Sequence, residues 1–272
     1  MATSANDQLV KLWNPTTNWN LVQTYNYLGS VYAFEYINAT TMASGGQDKK
    51  VQLWSIKTAK LIKTISPGGP VNCLQLLTKS SVSYLIIGAG PFVLIYNINS
   101  GNRISVLNGH KDTVTDLVLT GNTLISSSRD KTIRIWDITT ITSTMTSTRT
   151  LNGHANQVYG LKLVSRDKIA SASIDQTVRL WSISSGSLIN TLTGNTNYMQ
   201  YSVDFLDCGS FVSGDFSNND GIKVWDTFTG GLLDAINSDN MQINTVAVIN
   251  QNTGNYYLET TLFTHYFILF IT

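Results

Sequence analysis

Two long stretches of this chain are copies of one another. Residues 107–138 read LNGHKDTVTDLVLTGNTLISSSRDKTIRIWDI, and residues 151–183 read LNGHANQVYGLKLVSRDKIASASIDQTVRLWSI. In each, a Gly-His pair leads into an alternating apolar run, a Ser-rich run, an Asp, and an apolar run closed by Trp. His110 stands 26 residues before Trp136, and His154 stands 27 before Trp181. The closing aromatic recurs as Trp13, Trp54, Tyr96, Trp136, Trp181 and Trp225, at spacings of 41, 42, 40, 45 and 44. A period of this kind means a unit that cannot bury its own apolar faces and must stack on copies of itself.

Each full unit reads as four short strands. The alternating first strands fall at 31–37, 71–77, 114–119, 158–164 and 199–206; a small-residue strand, an aromatic-closed strand and a short outer strand follow. Four strands per unit with Gly-His…Trp-Asp punctuation mark a β-propeller blade. Gly109, His110, Trp136 and Asp137 carry the pattern most completely, and on these residues the chain resembles the WD-repeat family of β-propellers from about Ser4 to about Ile249. The resemblance implies an all-β, WD-type β-propeller of four-stranded antiparallel blades. The propeller is expected over residues 1–249, with blade units near 1–28, 31–66, 71–107, 114–151, 158–192 and 199–237 and an inner strand at 243–249. The pattern opens inside a blade, so six blades are the most economical closure, the N-terminal strands sharing a blade with the strand at 243–249. Seven blades stay open. Residues 250–272 lack the Ser-rich run, the Asp turn and the Trp. They read as a degenerate blade, as part of the closing blade, or as an aberrant tail.

Charge and cysteine content narrow the setting. A net charge of +1 supplies no field to draw in nucleic acid or an anionic membrane. The first ten residues have no basic segment followed by an apolar one, so no leader is read there. The apolar run at 262–271 is too short to span a bilayer. Cys73 and Cys208 have neither metal nor disulfide spacing, which suits a reducing compartment. A cytoplasmic protein is expected, with the nucleus left open, and the sequon Asn38-Ala39-Thr40 is then unmodified.

His, Ser and Asp within one unit invite a nucleophilic reading. The constellation recurs, however, as His110, Ser126, Asp130 and Trp136 and again as His154, Ser171, Asp175 and Trp181. Two copies of one set fit a structural device better than a single active site. In the WD-repeat family the matching positions form a hydrogen-bond chain, the imidazole bridging the turn Asp and the strand hydroxyl, and the hydroxyl reaching the indole. The resemblance therefore assigns these eight residues to a structural network, with Ser128 or Ser173 as alternative hydroxyls on the same strand face. Asp7–Trp13 and Asp48–Trp54 keep half of it, and the unit closed by Tyr96 is expected to be softer. No HExxH, phosphate-cradling loop or GxSxG occurs. No catalytic residue, metal or cofactor is expected.

Function is then expected on a surface. The resemblance implies partner contacts on one rim, at the third and fifth residues after the His and at the residue before the turn Asp. Carried over, these are Thr113, Thr115 and Arg129 in one unit and Gln157, Tyr159 and Ile174 in the next. The units lacking the His give Tyr32, Gln47, Asn72, Tyr198, Gln200 and Asn244. Tyr and Arg dominate interface energetics. Arg129 suits a carboxylate or phosphate, or pairs with Asp112 or another nearby acid. The expected function is a non-catalytic scaffold holding a protein or peptide on this rim, as a candidate subunit of a multiprotein complex, with no nucleic acid or membrane partner. One alternative is a fragment of a larger multidomain WD-repeat protein. The other is a propeller enzyme with a central-channel site, for which the inner strands offer Glu35, Asp116 and Asp204 and no histidine.

Overall fold

The computed structural model describes residues 29–193 without a break. Outside that span it describes residues 2–4, 9–14, 20–26, 200–205, 210–215, 222–226, 229–236, 245–250, 256–261 and 266–271. Among the described residues every regular element is a β-strand. The strands fall in two compact units, Met1–Leu124 with Trp136–Ser147 and Ile125–Ile135 with Thr148–Thr272.

In the first unit β1 (Ala2–Ser4), β2 (Leu9–Asn14) and β3 (Asn20–Asn26) form an antiparallel sheet in that order. The next sheet is an antiparallel meander of β4 (Val31–Asn38), β5 (Thr41–Gly46), β6 (Val51–Ser55) and β7 (Leu61–Ile65). The following one has β8 (Val71–Lys79), β9 (Val82–Ala89), β10 (Phe92–Asn97) and β11 (Arg103–Asn108). Strand β12 (Val114–Thr120) belongs to this unit, while β13 (Thr123–Ser128) and β14 (Ile133–Asp137) hold residues of both.

Successive side chains of a strand alternate faces, and here both faces are covered. Leu85 and Ile87 of β9 pack with Leu53, Leu74 and Leu94. Ile86, between them, packs with Leu77, Val93, Ile95 and Trp136. A strand buried on both sides needs an unbroken apolar run, which is why YLII and FVLIY lack the polar alternation of an exposed sheet. Polar reach ties neighbouring sheets at their margins. Lys63 of β7 donates to the carbonyls of Ile98 at 3.1 Å and Asn99 at 2.6 Å, and Lys79 of β8 donates to those of Ile138 at 2.8 Å and Thr139.

Among the described residues one element has no counterpart in the other repeats. After β14 the Thr- and Ser-rich chain returns to β11 and adds β15 (Thr144–Thr146) in parallel, with Val106 opposite Thr144 and Asn108 opposite Thr146. The sheet of β8–β11 thereby becomes five-stranded.

In the second unit β16 (Arg149–Leu151) pairs antiparallel with residues 133–135 of β14. A four-stranded antiparallel sheet follows, of β17 (Val158–Ser165), β18 (Lys168–Ser173), β19 (Thr177–Ser182) and β20 (Leu188–Thr193). Another comprises β21 (Gln200–Phe205), β22 (Ser210–Asp215), β23 (Ile222–Asp226) and β24 (Leu232–Ile236). Ala170, Ala172, Val178 and Leu180 of the former pack with Trp225 of the latter. Last come β25 (Thr245–Asn250), β26 (Tyr256–Thr261) and β27 (Tyr266–Ile271), an antiparallel sheet of three. The economical closure lent the strand at 243–249 to the N-terminal strands. Here β25 takes β26 as its partner, Val246 opposite Thr260 and Ile249 opposite Tyr257. The Tyr-, Leu- and Thr-rich composition of 256–261 suits it to that role.

The turn aspartates explain the hairpins that close the small-residue strands. Oδ1 of Asp48, Asp130 and Asp175 accepts the backbone N–H two residues on, from Lys50, Thr132 and Thr177 at 2.9–3.1 Å. An aspartate that bonds its own backbone in this way stabilises a tight turn. The intervening residues, Lys49, Lys131 and Gln176, take positive φ of 63°, 72° and 72°.

Candidate functional site

The second copy of the His-Ser-Asp-Trp set is closed within one sheet. Imidazole Nδ1 of His154 lies 2.7 Å from Asp175 Oδ2, and Nε2 lies 2.7 Å from Ser171 Oγ. The Trp181 indole N–H donates to the same hydroxyl at 2.9 Å. With Nδ1–H donating to the carboxylate, Nε2 is free to accept from Ser171, and each polar atom has its partner. Ser171 holds the hydroxyl position. Ser173 has another task, donating to the Gln157 carbonyl at 2.8 Å and accepting the Asp175 backbone N–H at 3.0 Å. Ser171 is fully buried and Trp181 nearly so. A nucleophile must meet its substrate, and this hydroxyl faces an indole instead.

Asp175 carries the electrostatic weight. Burial pushes its carboxyl up. That push is outweighed by hydrogen bonds from His154, Thr177 and the Ala155 N–H, and the carboxyl ends well below the ordinary range. A depressed folded-state value stabilises the protein above the unfolded value, about 3.9, and that stabilisation is lost as pH falls further. The stability difference between wild type and Asp175→Asn is therefore expected to be constant from pH 5 to 8 and to shrink below about pH 4. Urea midpoints across that range test this, and parallel curves would count against it.

In the first copy His110 and Trp136 belong to the first unit, and Ser126 and Asp130 to the second. The ring centroids of His110 and Trp136 are 6.2 Å apart at 62°, against 6.0 Å and 59° for His154 and Trp181. Ser126 is fully buried. Asp130 makes the same turn as Asp175, accepting the Thr132 hydroxyl at 2.6 Å as Asp175 accepts that of Thr177 at 2.6 Å. Two other repeats keep the indole bond, Trp54 to Ser44 at 2.8 Å and Trp225 to Ser213 at 2.9 Å. Asp48 Oδ2 is buried with no hydrogen-bond partner, consistent with a repeat that has no histidine. Asp7 lies outside the described residues. In the unit closed by Tyr96, Ile87, opposite Leu74 as Ser171 is opposite Leu161 and Ser44 opposite Phe34, stands where the hydroxyl would be. That unit is packed by apolar contact.

The predicted rim residues owe their positions to a repeated backbone irregularity. In β4 the register shifts between Val31 and Ala33, in β8 between Val71 and Cys73, and in β17 between Val158 and Gly160. Tyr32, Asn72 and Tyr159 are thus the extra residues of β-bulges, which leave the ladder and re-aim their side chains. Tyr32 and Gln47 are exposed, and Asn72, Thr113 and Thr115 half-buried, in the first unit. Backbone bonds tie the residue before each turn Asp to the loop ahead of the bulged strand: Gln47 N–H donates to the Ser30 carbonyl at 3.0 Å, and Ile174 N–H to that of Gln157 at 3.0 Å. In β21 the shift lies between Gln200 and Ser202. The bulge position assigned to Gln200 therefore falls one residue later, on Tyr201. Tyr198 and Asn244 lie outside the described residues.

The second unit brings three of the predicted rim residues together. The guanidinium carbon of Arg129 lies 5.6 Å from the centroid of the Tyr159 ring. The Tyr159 hydroxyl donates to Gln157 Oε1 at 3.0 Å. The sequence named all three without revealing their contact, since nothing in residue type shows that a turn and a bulge on successive repeats converge.

The inner-strand acids are dispersed. In the first unit Glu35 Oε1 accepts the Leu76 N–H at 3.1 Å and Asp116 accepts the Leu117 N–H at 2.8 Å. Burial holds the Glu35 carboxyl above its ordinary value, partly offset by the Leu76 bond. In the second unit Asp204 pairs with Lys162 at 2.6 Å. Among the described residues no three His, Cys, Asp or Glu cluster as a metal site would require, and no helix is long and apolar enough to cross a membrane.

Known proteins give this geometry a context. The sequence matches the family described as WD domain, G-beta repeat over residues 101–137, 145–182 and 186–226. It is 28% identical over 162 residues to Protein SPA1-RELATED 4 of Arabidopsis thaliana, covering 57% of this chain and 20% of that protein. It is 26% identical over 141 residues to the Periodic tryptophan protein 2 homolog of Caenorhabditis elegans, covering 51% and 16%. The E3 ubiquitin-protein ligase COP1 of Arabidopsis thaliana is 26% identical over 162 residues, covering 58% and 23%. The chain spans about a fifth of the length of these relatives.

Proposed function

Since the chain is a WD-repeat protein, we propose that it works as a protein-interaction scaffold, holding a peptide or protein partner on the rim that carries Arg129, Gln157 and Tyr159. The observation that carries this reading is the assembly of those three side chains at a turn and a bulge. Bulges and turns present side chains that the sheet ladder leaves free, and the His154 network lies in the sheet that carries Gln157 and Tyr159. The burial of Ser171 against Trp181 supports a non-catalytic role for the repeated constellation. We place the scaffold in the cytoplasm, as a subunit of a multiprotein complex. A second reading makes it one module of a larger multidomain protein, and the short share of each relative that it matches favours this.

The double variant Arg129→Glu with Tyr159→Ala tests the rim. Both positions lie outside the buried core, so the variant is expected to melt within about 2 °C of wild type. Affinity capture from native extract should then lose the partner that wild type retains. A partner held equally by both proteins would move the interface off this rim.

A further inference from the structure

The charge at this rim has no acid of its own. Among the described residues Arg129 makes no hydrogen bond or ion pair, and its one recorded contact is the Tyr159 ring. The ring is held at both ends, by the bulge in β17 and by the hydroxyl bond to Gln157. A cation resting on an aromatic face is oriented without using up its N–H donors.

Nearby carboxylates are already engaged. Over residues 125–135 and 148–193 there are eight Lys or Arg against three Asp and no Glu. Asp130 is taken by Thr132, Asp175 by His154, Ala155 and Thr177, and Asp167 by Ser182 and Ser184. An exposed guanidinium, pre-oriented and unneutralised, is matched by an anion that arrives from outside.

Resting on the rim reading above, we infer that Arg129 on Tyr159 is the docking point for a carboxylate side chain, an Asp or Glu in an acidic segment of the partner protein. One guanidinium fork pairs with one carboxylate through two parallel hydrogen bonds. A phosphate carries about −1.5 to −2, and Gln157, Tyr159 and Ile174 supply no second cation to balance it.

The test uses immobilised peptides with a single Asp or Glu in a neutral background, beside their Asn, Gln and phosphoserine counterparts. They are probed with the purified full chain as wild type, Arg129→Lys, Arg129→Gln and Tyr159→Phe, each checked for an unchanged melting curve. Wild type should favour the acidic peptides over their amides by roughly 10- to 100-fold. Arg129→Gln should abolish that preference. Arg129→Lys keeps the charge without the fork and should lose about tenfold. Tyr159→Phe, which frees the ring from Gln157, should fall between wild type and Arg129→Gln. Equal binding of acidic and amide peptides by wild type, acidic binding undiminished in Arg129→Gln, or a preference for phosphoserine would each overturn the assignment. The rim reading fails by a different sign, when the Arg129→Glu, Tyr159→Ala variant keeps every protein that wild type captures.

Discussion

Replacing Trp136 by alanine is expected to destabilise the protein by about 3–5 kcal/mol. The indole is fully buried and packs among Leu77, Ile86, Val93, Ile95, Leu107, Val114 and Leu117. Its removal forfeits the transfer free energy of a large ring. It also leaves a void walled by β-strands, whose backbones are fixed by their ladders and collapse little. The His110 ring, 6.2 Å away at its centroid, loses its edge contact as well. Urea denaturation of wild type and variant, followed by circular dichroism, measures the difference. Phe92, on a neighbouring strand but 45% exposed, is the internal control, and Phe92→Ala should change stability by about 0.5 kcal/mol or less. A Trp136→Ala protein that unfolds at the wild-type urea concentration would remove this residue from the core.

The second large effect is expected at His154. The side chains of His154 and Asp175 are 1% and 5% exposed. Cutting His154 to alanine strips the carboxylate of its imidazole partner and leaves Ser171 without its second contact. Breaking a buried pair from one side costs about 3–5 kcal/mol, and His154→Ala belongs at the lower end because the Ala155 and Thr177 donors to Asp175 remain. Asp175→Asn alone should cost less, and the double variant should fall short of the sum by about 1–3 kcal/mol, the signature of one shared network. Strict additivity would mean that the two side chains act independently. Peptide binding at the rim should survive in any of these variants that remains folded, which separates a structural role from a catalytic one.

The spacing of aromatics was the most legible feature of the sequence. Trp54, Tyr96, Trp136, Trp181 and Trp225 each close the third strand of a unit, one residue from the end of β6, β10, β14, β19 and β23. A ring that must be buried permits few positions in a strand, so its spacing records the blade directly. The period of two left Ser171 and Ser173 equivalent, and only the register separates them. Ser171 lies opposite Leu161, deep in the sheet, while Ser173 lies opposite Val158 at its mouth. The bulges at Tyr32, Asn72 and Tyr159 were invisible because they arise from a mismatch between two strands, which neither strand records alone. The contact of Arg129 with Tyr159 inherits that blindness. The lysine bonds to turn carbonyls were hidden for a related reason: Lys63 and Lys79 look like solvated surface charges until the neighbouring turn is placed.

The parallel strand β15 escaped notice because backbone pairing at a sheet margin asks little of side chains, and a Thr- and Ser-rich run reads as loop. Its effect reaches beyond this fold. The last strand of an open sheet offers unpaired N–H and C=O groups to any extended chain that drifts past, and such margins seed intermolecular association. With β15 laid along Val106–Asn108, that half of β11 has no such offer to make. The outer strand β7, exposing Leu61 and Ile62, has no further strand beside it among the described residues. In the second unit β20 and β24, with Leu188, Ile189, Leu232 and Leu233 exposed, are in the same position. Self-association under stress should therefore start from these three strands, and the sheet of β8–β11, the one most nearly apolar throughout, carries its own stopper.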